Sequence, residues 1–247
     1  MLRWIVFDAV GTLLAPSPPV AEAYHQVGAS LGSRLDVAEI GRRFREFFPR
    51  SETECFPPER HGRTSEPEER DRWRWIVERV LDDVTDREAC FQRLWDHFTA
   101  PSSWTLFDDV PNAIEQLTQQ GYRLAIASNF DARLHALCEA CPALQSVRLR
   151  LVSSEVGYRK PAAEFYDAVI AACGVAPESI LMVGDDWEAD VVAARRAGLR
   201  AVWLNRRATG GDDGNAIASL RELLLVDALK SNRLTNGFSS VIPRHTP

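Results

Sequence analysis

Four groups of side chains in this sequence could act together on a charged ligand. Asp8 closes the apolar run RWIVF (3–7), Ser128-Asn129 close YRLAIA (122–127), and Gly184-Asp185-Asp186 follow SILMV (179–183). Lys160 stands immediately before Pro161, a residue tolerated at the opening position of a helix. Their chemistry is complementary. Carboxylates can hold a cation, a hydroxyl and amides can hold phosphate oxygens, and a lysine supplies positive charge. Taken singly, each has an ordinary explanation: an aspartate at a strand end is often a turn or cap residue, and a lone lysine is usually a solvated charge. What unites them is position, because ligands of open α/β sheets bind at the carboxyl ends of the strands.

The elements that must position these groups follow from periodicity. RWIVF is short, apolar and β-branched, which suits a parallel strand covered on both faces. From about residue 108 the pattern alternates. Strands are predicted at 122–127, 147–152, 179–183 and 200–204, and helices at 110–120, 131–140, 162–173, 188–197 and 216–229. Such alternation implies a parallel sheet with helices on both faces. Residues 20–100 contain no convincing strand. There Trp73, Ile76, Val77, Val80 and Leu81 form one helical stripe, and Phe91, Leu94, Trp95 and Phe98 form another, as helix-packing cores do. The stretch 49–67, rich in Pro and polar residues, reads as a loop, as does RATGGDDGN (207–215). The expected division is an α/β core over 1–16 and 104–230, an inserted helical domain over 17–103, and a polar tail with little order over 231–247.

Composition narrows the function classes. The 247 residues carry 29 basic and 35 acidic side chains, a formal charge of -6. That disfavours nonspecific nucleic-acid binding, which needs a basic field, but not an anionic substrate, since a bound divalent cation reverses the local sign. Five scattered cysteines argue against a disulfide framework, and the lone Cys138/Cys141 pair lacks the second ligand pair or thioredoxin-like context that redox or metal chemistry requires. No stretch approaches the ~20 apolar residues of a membrane span, and the N-terminal apolar run, cut by Asp8, is too short for a signal segment. A cytoplasmic protein is expected.

The motifs resemble those of the haloacid dehalogenase superfamily. FDAVGTLL (7–14) is similar to the first motif, usually hhhDxDGT(L/V) with h apolar. LAIASN (124–129), Lys160-Pro161 and VGDDWEAD (183–190) are similar to the second, third and fourth, in order and in separation. The helical insertion matches the family's C1-type cap, and ASNFDARL (127–134) narrows the likeness to one subgroup. The resemblance implies a Rossmann-like α/β core with an all-helical cap, and an Mg²⁺-dependent hydrolase acting on a small phosphorylated metabolite. Asp8 would be the nucleophile that forms an aspartyl-phosphate. Mg²⁺ would be held by Asp8, the backbone carbonyl of Val10, and Asp185, with Asp190 as a further ligand or support and Asp186 as its competitor. Thr12, Ser128 and the amide of Asn129 would hold phosphoryl oxygens, and Lys160 would offset their charge. His61 and Arg63 lie in the cap loop, where such caps often supply specificity, but nothing further singles them out.

The departure is Val10. Phosphatases of this family carry a second aspartate there, which protonates the leaving oxygen and then activates water. Valine does neither, so ordinary turnover should fall by about 10²–10⁴-fold. Two other readings stay open: a catalytically silent relative that binds a phosphorylated ligand or a partner, and a metal-independent haloacid dehalogenase. For the second of these the motif FDAYGTL is close, but the fourth motif of such dehalogenases lacks the GD pair that Gly184-Asp185 form here, and their active-site arginine is not identifiable, since residues 15–33 contain no arginine.

Overall fold

A computed structural model describes residues 1–207 and 216–223. In chain order the elements are β1 (Trp4–Phe7), β2 (Leu14–Pro16), α1 (Val20–Ser30), α2 (Val37–Glu54), α3 (Glu66–Val80), α4 (Arg87–Thr99), β3 (Trp104–Leu106), α5 (Val110–Gln119), β4 (Arg123–Ser128), α6 (Arg133–Ala140), β5 (Leu149–Val152), α7 (Ser153–Val156), α8 (Ala163–Cys173), β6 (Ile180–Gly184), α9 (Ala194–Arg196), β7 (Arg200–Leu204), β8 (Ala216–Ile217) and α10 (Leu220–Leu223). A π-helical stretch, Trp187–Ala193, runs directly into α9.

Six strands form one sheet in the order β5-β4-β1-β6-β7-β8, all parallel. β1 lies between β4 and β6 and every residue of it is buried. Its side chains alternate between two cores, as the pleat demands. Ile5 and Phe7 join Ile114, Leu117 and Leu134 on one face, while Trp4 and Val6 join Phe165, Val169 and Val191 on the other. The register pairs Phe7 with Ile126 and with Val183, so β1, β4 and β6 end together and the residues after them share one edge. β2 and β3 form a separate antiparallel pair, missed by the sequence reading, beneath the helical layer.

Helices α1–α4 bury their own cluster, including Tyr24, Ile40, Ile76, Val80, Phe91 and Leu94. Fully burying one such side chain contributes roughly 1.5–3 kcal/mol. Asp36 and Asp86 cap α2 and α4, accepting from the amides of Glu39 at 2.8 Å and Ala89 at 2.9 Å. α2 corrects the loop expected over 49–67: it continues through Pro49 to Glu54. Proline removes one intrahelical bond, but contacts just after it hold the turn. Arg50 pairs with Glu54 at 2.7 Å, and Ser51 is buried beneath the Arg72 guanidinium, at 2.9 Å.

The predicted helix over 216–229 is also corrected. Ala216–Ile217 extend the sheet beside β7, Leu220–Leu223 are helical, and residues 224–229 of that expected helix lie outside the described residues. The cause lies far away in sequence: Asp109 accepts hydrogen bonds from Ser219 Oγ at 2.7 Å and the Leu220 amide at 2.8 Å, which fixes where that helix starts. The helix predicted over 188–197 begins as π rather than α. The loop and tail expected over 208–215 and 231–247 lie outside the described residues. Among the described residues no helix is long and apolar enough to cross a membrane.

Candidate active site

The ends of β1, β4 and β6 bring most of the sequence candidates together. Asp8 follows β1 and its amide donates to the Val183 carbonyl at 2.9 Å, which anchors it at the sheet edge. Lys160 arrives from the loop before α8. Its Nζ lies 2.7 Å from Asp8 Oδ1, 2.6 Å from Asp190 Oδ1 and 3.1 Å from the Ala127 carbonyl, with the side chain 3% exposed. Asn129 holds that loop by its side chain: Nδ2 donates to the Lys160 carbonyl at 2.9 Å, and Oδ1 accepts from the Lys160 amide at 2.8 Å. The side chain of Asn129 therefore positions Lys160, a role distinct from the phosphate contact expected of its amide. Ser128 is buried at the end of β4.

Two glycines make the cluster possible. Gly11 has φ +87°, and a Cβ there would fall 2.3 Å from Asp185 Oδ2. A Cβ on Gly184 would fall 2.0 Å from Asp190 Oδ2. Both backbones thus pass directly against carboxylates, as glycine alone permits. The π-helical stretch separates the two acidic candidates. Asp186 caps it, accepting from the Ala189 amide at 2.9 Å, whereas Asp190 faces Lys160 and accepts from the Asp186 amide at 3.1 Å. Thr12 is fully buried and donates its hydroxyl to Asp185 Oδ1 at 3.2 Å. It orients a carboxylate rather than facing the cavity.

The electrostatics are those of an unfinished charge balance. Burial alone pulls the Lys160 ammonium down, but Asp190 and Asp8 outweigh it and hold the group above the ordinary lysine range. Burial, with repulsion from Asp8 and against the pull of Lys160, pushes Asp190 up to about 7. Asp185 is exposed by surface area, yet the surrounding walls displace enough water, and Asp8 adds enough repulsion, to push it up to about 6. Among the described residues Asp8, Asp185 and Asp190 each offer an oxygen within 4.8 Å of the others. Three carboxylates against one lysine, two of them hard to ionise, are a donor set that a hard divalent cation fits.

Sequence reasoning missed the charged seam above this cluster. Arg159, next to Lys160, pairs with Glu52 of α2 at 2.8 Å and with Glu69 of α3. Arg72 pairs with Glu52 and lies 3.9 Å from Glu69. It missed Arg206 as well, which donates to the carbonyls of Gly11 at 3.3 Å and Thr12 at 2.7 Å while pairing with Asp109 at 3.0 Å. A sequence signal existed for the first: Glu69 and Arg72 fall on the same helical face as Ile76 and Val80, and charges on a buried face are almost always paired. His61, Arg63 and the Cys138/Cys141 pair lie outside the cluster. Cys138 is buried, and burial pushes its thiol up to about 11, the opposite of activation.

Comparison with known proteins agrees with the geometry. The haloacid dehalogenase-like hydrolase family matches residues 2–198. Haloacid dehalogenase-like hydrolase domain-containing protein 3 of Danio rerio, the subgroup indicated by the ASNFDARL stretch, is 25% identical over 211 residues, covering 83% of this chain and 86% of that one. Phosphoserine phosphatase of Thermus thermophilus is 34% identical over 132 residues, 51% of this chain and 53% of the other. In fold, the L-2-haloacid dehalogenase of Xanthobacter autotrophicus superposes with a TM-score of 0.68 at 18% identity, covering 90% of this chain and 97% of that one. With four motifs at the ends of one parallel sheet and a family match over most of its length, the chain belongs to the haloacid dehalogenase-like hydrolases.

Proposed function

We propose that this hydrolase is a Mg²⁺-dependent phosphatase that works through an aspartyl-phosphate on Asp8, at reduced turnover because Val10 replaces the acid–base group. The observation that carries the reading is Lys160 held 2.7 Å from Asp8 and 2.6 Å from Asp190 beside a third carboxylate, Asp185. Asp8, Asp185 and Asp190, with the Val10 carbonyl, would hold the ion, which when bound offsets charge repulsion between carboxylate and phosphate.

The chain's own residues then account for the steps. Lys160 holds the Asp8 carboxylate in place through its hydrogen bond, and its charge also favours the approach of a phosphoryl group. Ser128 and the Asn129 amide offer donors to phosphoryl oxygens. An Asp8 oxygen bonds to phosphorus while the ester P–O bond breaks and the leaving oxygen departs with its electron pair. Water later attacks the acyl phosphate, releasing phosphate and regenerating Asp8. Val10 offers no proton to the first step and no base to the second, so the intermediate accumulates.

The test is incubation with Mg²⁺ and acetyl phosphate, with mass spectrometry of the intact chain. Phosphorylation that is absent in Asp8→Asn supports the reading. Unmodified chain and no turnover would favour the second reading, a silent ligand-binding relative, which Val10 at the cavity wall supports. Halide release from 2-haloacids without metal would favour dehalogenation instead.

A further inference from the structure

The cavity that reaches Asp8 is shaped for a particular organic group. It encloses about 440 Å³, within the ~300–1,000 Å³ usual for small-molecule sites. Asp8, Lys160 and Asp190 lie at one end, and aromatic side chains dominate the rest, among them Phe44, Phe48, Trp73, Trp95, Phe98 and Trp104. The rings brace one another: Phe44 stacks on Phe48 with centroids 5.3 Å apart, and Phe98 meets Trp104 edge-on at 6.0 Å.

Charge in this wall is already matched. Arg72, Arg133 and Arg159 line the cavity. Arg133 pairs with Asp131 at 2.7 Å, Arg159 with Glu52 at 2.8 Å and with Glu69, and Arg72 with Glu52. Three guanidiniums face three carboxylates. Arg133 also stacks on Trp95, 3.7 Å from its centroid. A second anionic group would meet guanidiniums whose charge is already offset and carboxylates that repel it, and a sugar would bury hydroxyls against rings, which is costly. Val10 adds an independent constraint: with no side chain to protonate it, the leaving oxygen must depart as a stable anion, which an aryl oxygen does and an alkyl oxygen does not.

We propose that the preferred substrate is an aryl phosphate whose organic group is otherwise uncharged, with the phosphate at Asp8 and the ring in the aromatic cavity; this rests on the phosphatase reading above. The P–O(aryl) bond breaks as Asp8 bonds to phosphorus. The phenolate leaves with the bonding pair and takes its proton from water, and hydrolysis of the acyl phosphate completes the cycle.

The experiment compares kcat/KM of the full chain with Mg²⁺ on phenyl, 2-naphthyl and 4-carboxyphenyl phosphates, glucose 6-phosphate and acetyl phosphate. Phenyl and naphthyl phosphates differ mainly in one fused ring, whose burial should favour the naphthyl ester on the order of tenfold. The carboxyphenyl ester should fall below phenyl, and glucose 6-phosphate should be at least about 10²-fold poorer. Phe48→Ala, at a residue 36% exposed and so safe for folding, and Trp73→Ala should each lower the naphthyl-to-acetyl preference about threefold or more. Equal rates for naphthyl and phenyl esters, or good turnover of glucose 6-phosphate, overturn the substrate class even while acetyl phosphate still labels Asp8. If acetyl phosphate fails to label Asp8, the phosphatase reading falls separately. Calorimetric binding of 2-naphthyl against phenyl phosphate then decides the cavity assignment, equal affinities refuting it and a tenfold gap supporting the aryl ligand.

Discussion

Replacing Arg159 with methionine should loosen the seam between the helical layer and the sheet, chiefly through one carboxylate. The Arg159 side chain is 4% exposed and serves two partners. Glu52 is 41% exposed, so losing it costs at most about 1 kcal/mol. Glu69 is 2% exposed, and stripping one partner from a buried pair costs about 3–5 kcal/mol. Glu69 would keep the Thr64 hydroxyl at 2.8 Å and Arg72 at 3.9 Å, which places the loss near the low end, about 3 kcal/mol. Methionine retains the apolar stem beside Phe56 and forfeits a cation–π contact at 4.6 Å, about 0.5–1 kcal/mol more. The losses come to about 3.5–5 kcal/mol, and for a chain of this size each kcal/mol shifts Tm by roughly 2–4 °C, so a fall of about 7–20 °C is expected. The assay is urea and thermal unfolding of Arg159→Met, Glu69→Gln and the double variant. The pair should couple by about 2 kcal/mol or more. A coupling below about 0.5 kcal/mol, the usual error of additivity, would refute the claim that Glu69 is the buried partner that matters.

Mg²⁺ at about 100 times its Kd should stabilise the chain by about 2.7 kcal/mol, reversed by chelator and lost in Asp185→Asn; scanning fluorimetry checks both arms. Asp109 should make stability pH-dependent. Burial alone would raise its pKa, but hydrogen bonds from Arg206, Ser219 and the Leu220 amide outweigh burial and hold it below the ordinary carboxylate value. Its contribution is therefore present above the unfolded value of about 3.9 and lost as pH falls through the folded one. The deficit of Asp109→Asn in urea unfolding should be clear at pH 7 and shrink near pH 3; an equal deficit at both refutes the assignment. Val10→Asp should raise phosphatase kcat by up to about 10²–10⁴-fold, measured with an alkyl phosphate, where leaving-group protonation matters most; an unchanged rate would mean that residue 10 does not face the leaving oxygen.

How much of this was legible in the sequence depended on whether the deciding contacts were local. β1 and β6 could be read because strands covered on both faces must be apolar throughout, and the residue that ends such a run is placed at the sheet edge without knowing the neighbours. The stripes on α3 and α4 could be read because one helix suffices to define its buried face. What failed was decided at long range. Pro49 looked like a stop, but flanking ion pairs and the Arg72–Ser51 contact carry α2 past it. Residues 216–217 looked helical, but β7 offers them an open sheet edge. Within the site, four motifs located Asp8, Ser128, Lys160 and Asp185, while the choice between Asp186 and Asp190 needed the winding of a π-helical turn that periodicity does not reveal. Arg206 was invisible because its partners, Gly11 and Thr12, lie nearly the whole chain away.

Position 10 shows why the site can keep its geometry while changing its chemistry. Its backbone and its side chain have separable roles. The loop after β1 is pinned by main-chain bonds, Leu13 and Leu14 amides to the Ala9 carbonyl at 2.8 and 3.0 Å and the Gly11 amide to Leu14 at 2.9 Å. Arg206 clamps the Gly11 and Thr12 carbonyls from outside, and Gly11 must be glycine to clear Asp185. None of these contacts involves the side chain of residue 10, which packs partly against the apolar core instead. On the reading proposed above, valine there leaves the loop backbone, Lys160 and the carboxylate cluster where they are and removes only proton transfer. On that reading, selection among substrates shifts from how well a leaving oxygen can be protonated to how stable it is unprotonated. A wall of rings with matched charges would select for the same kind of molecule, so under the proposal valine at position 10 and the cavity reinforce each other.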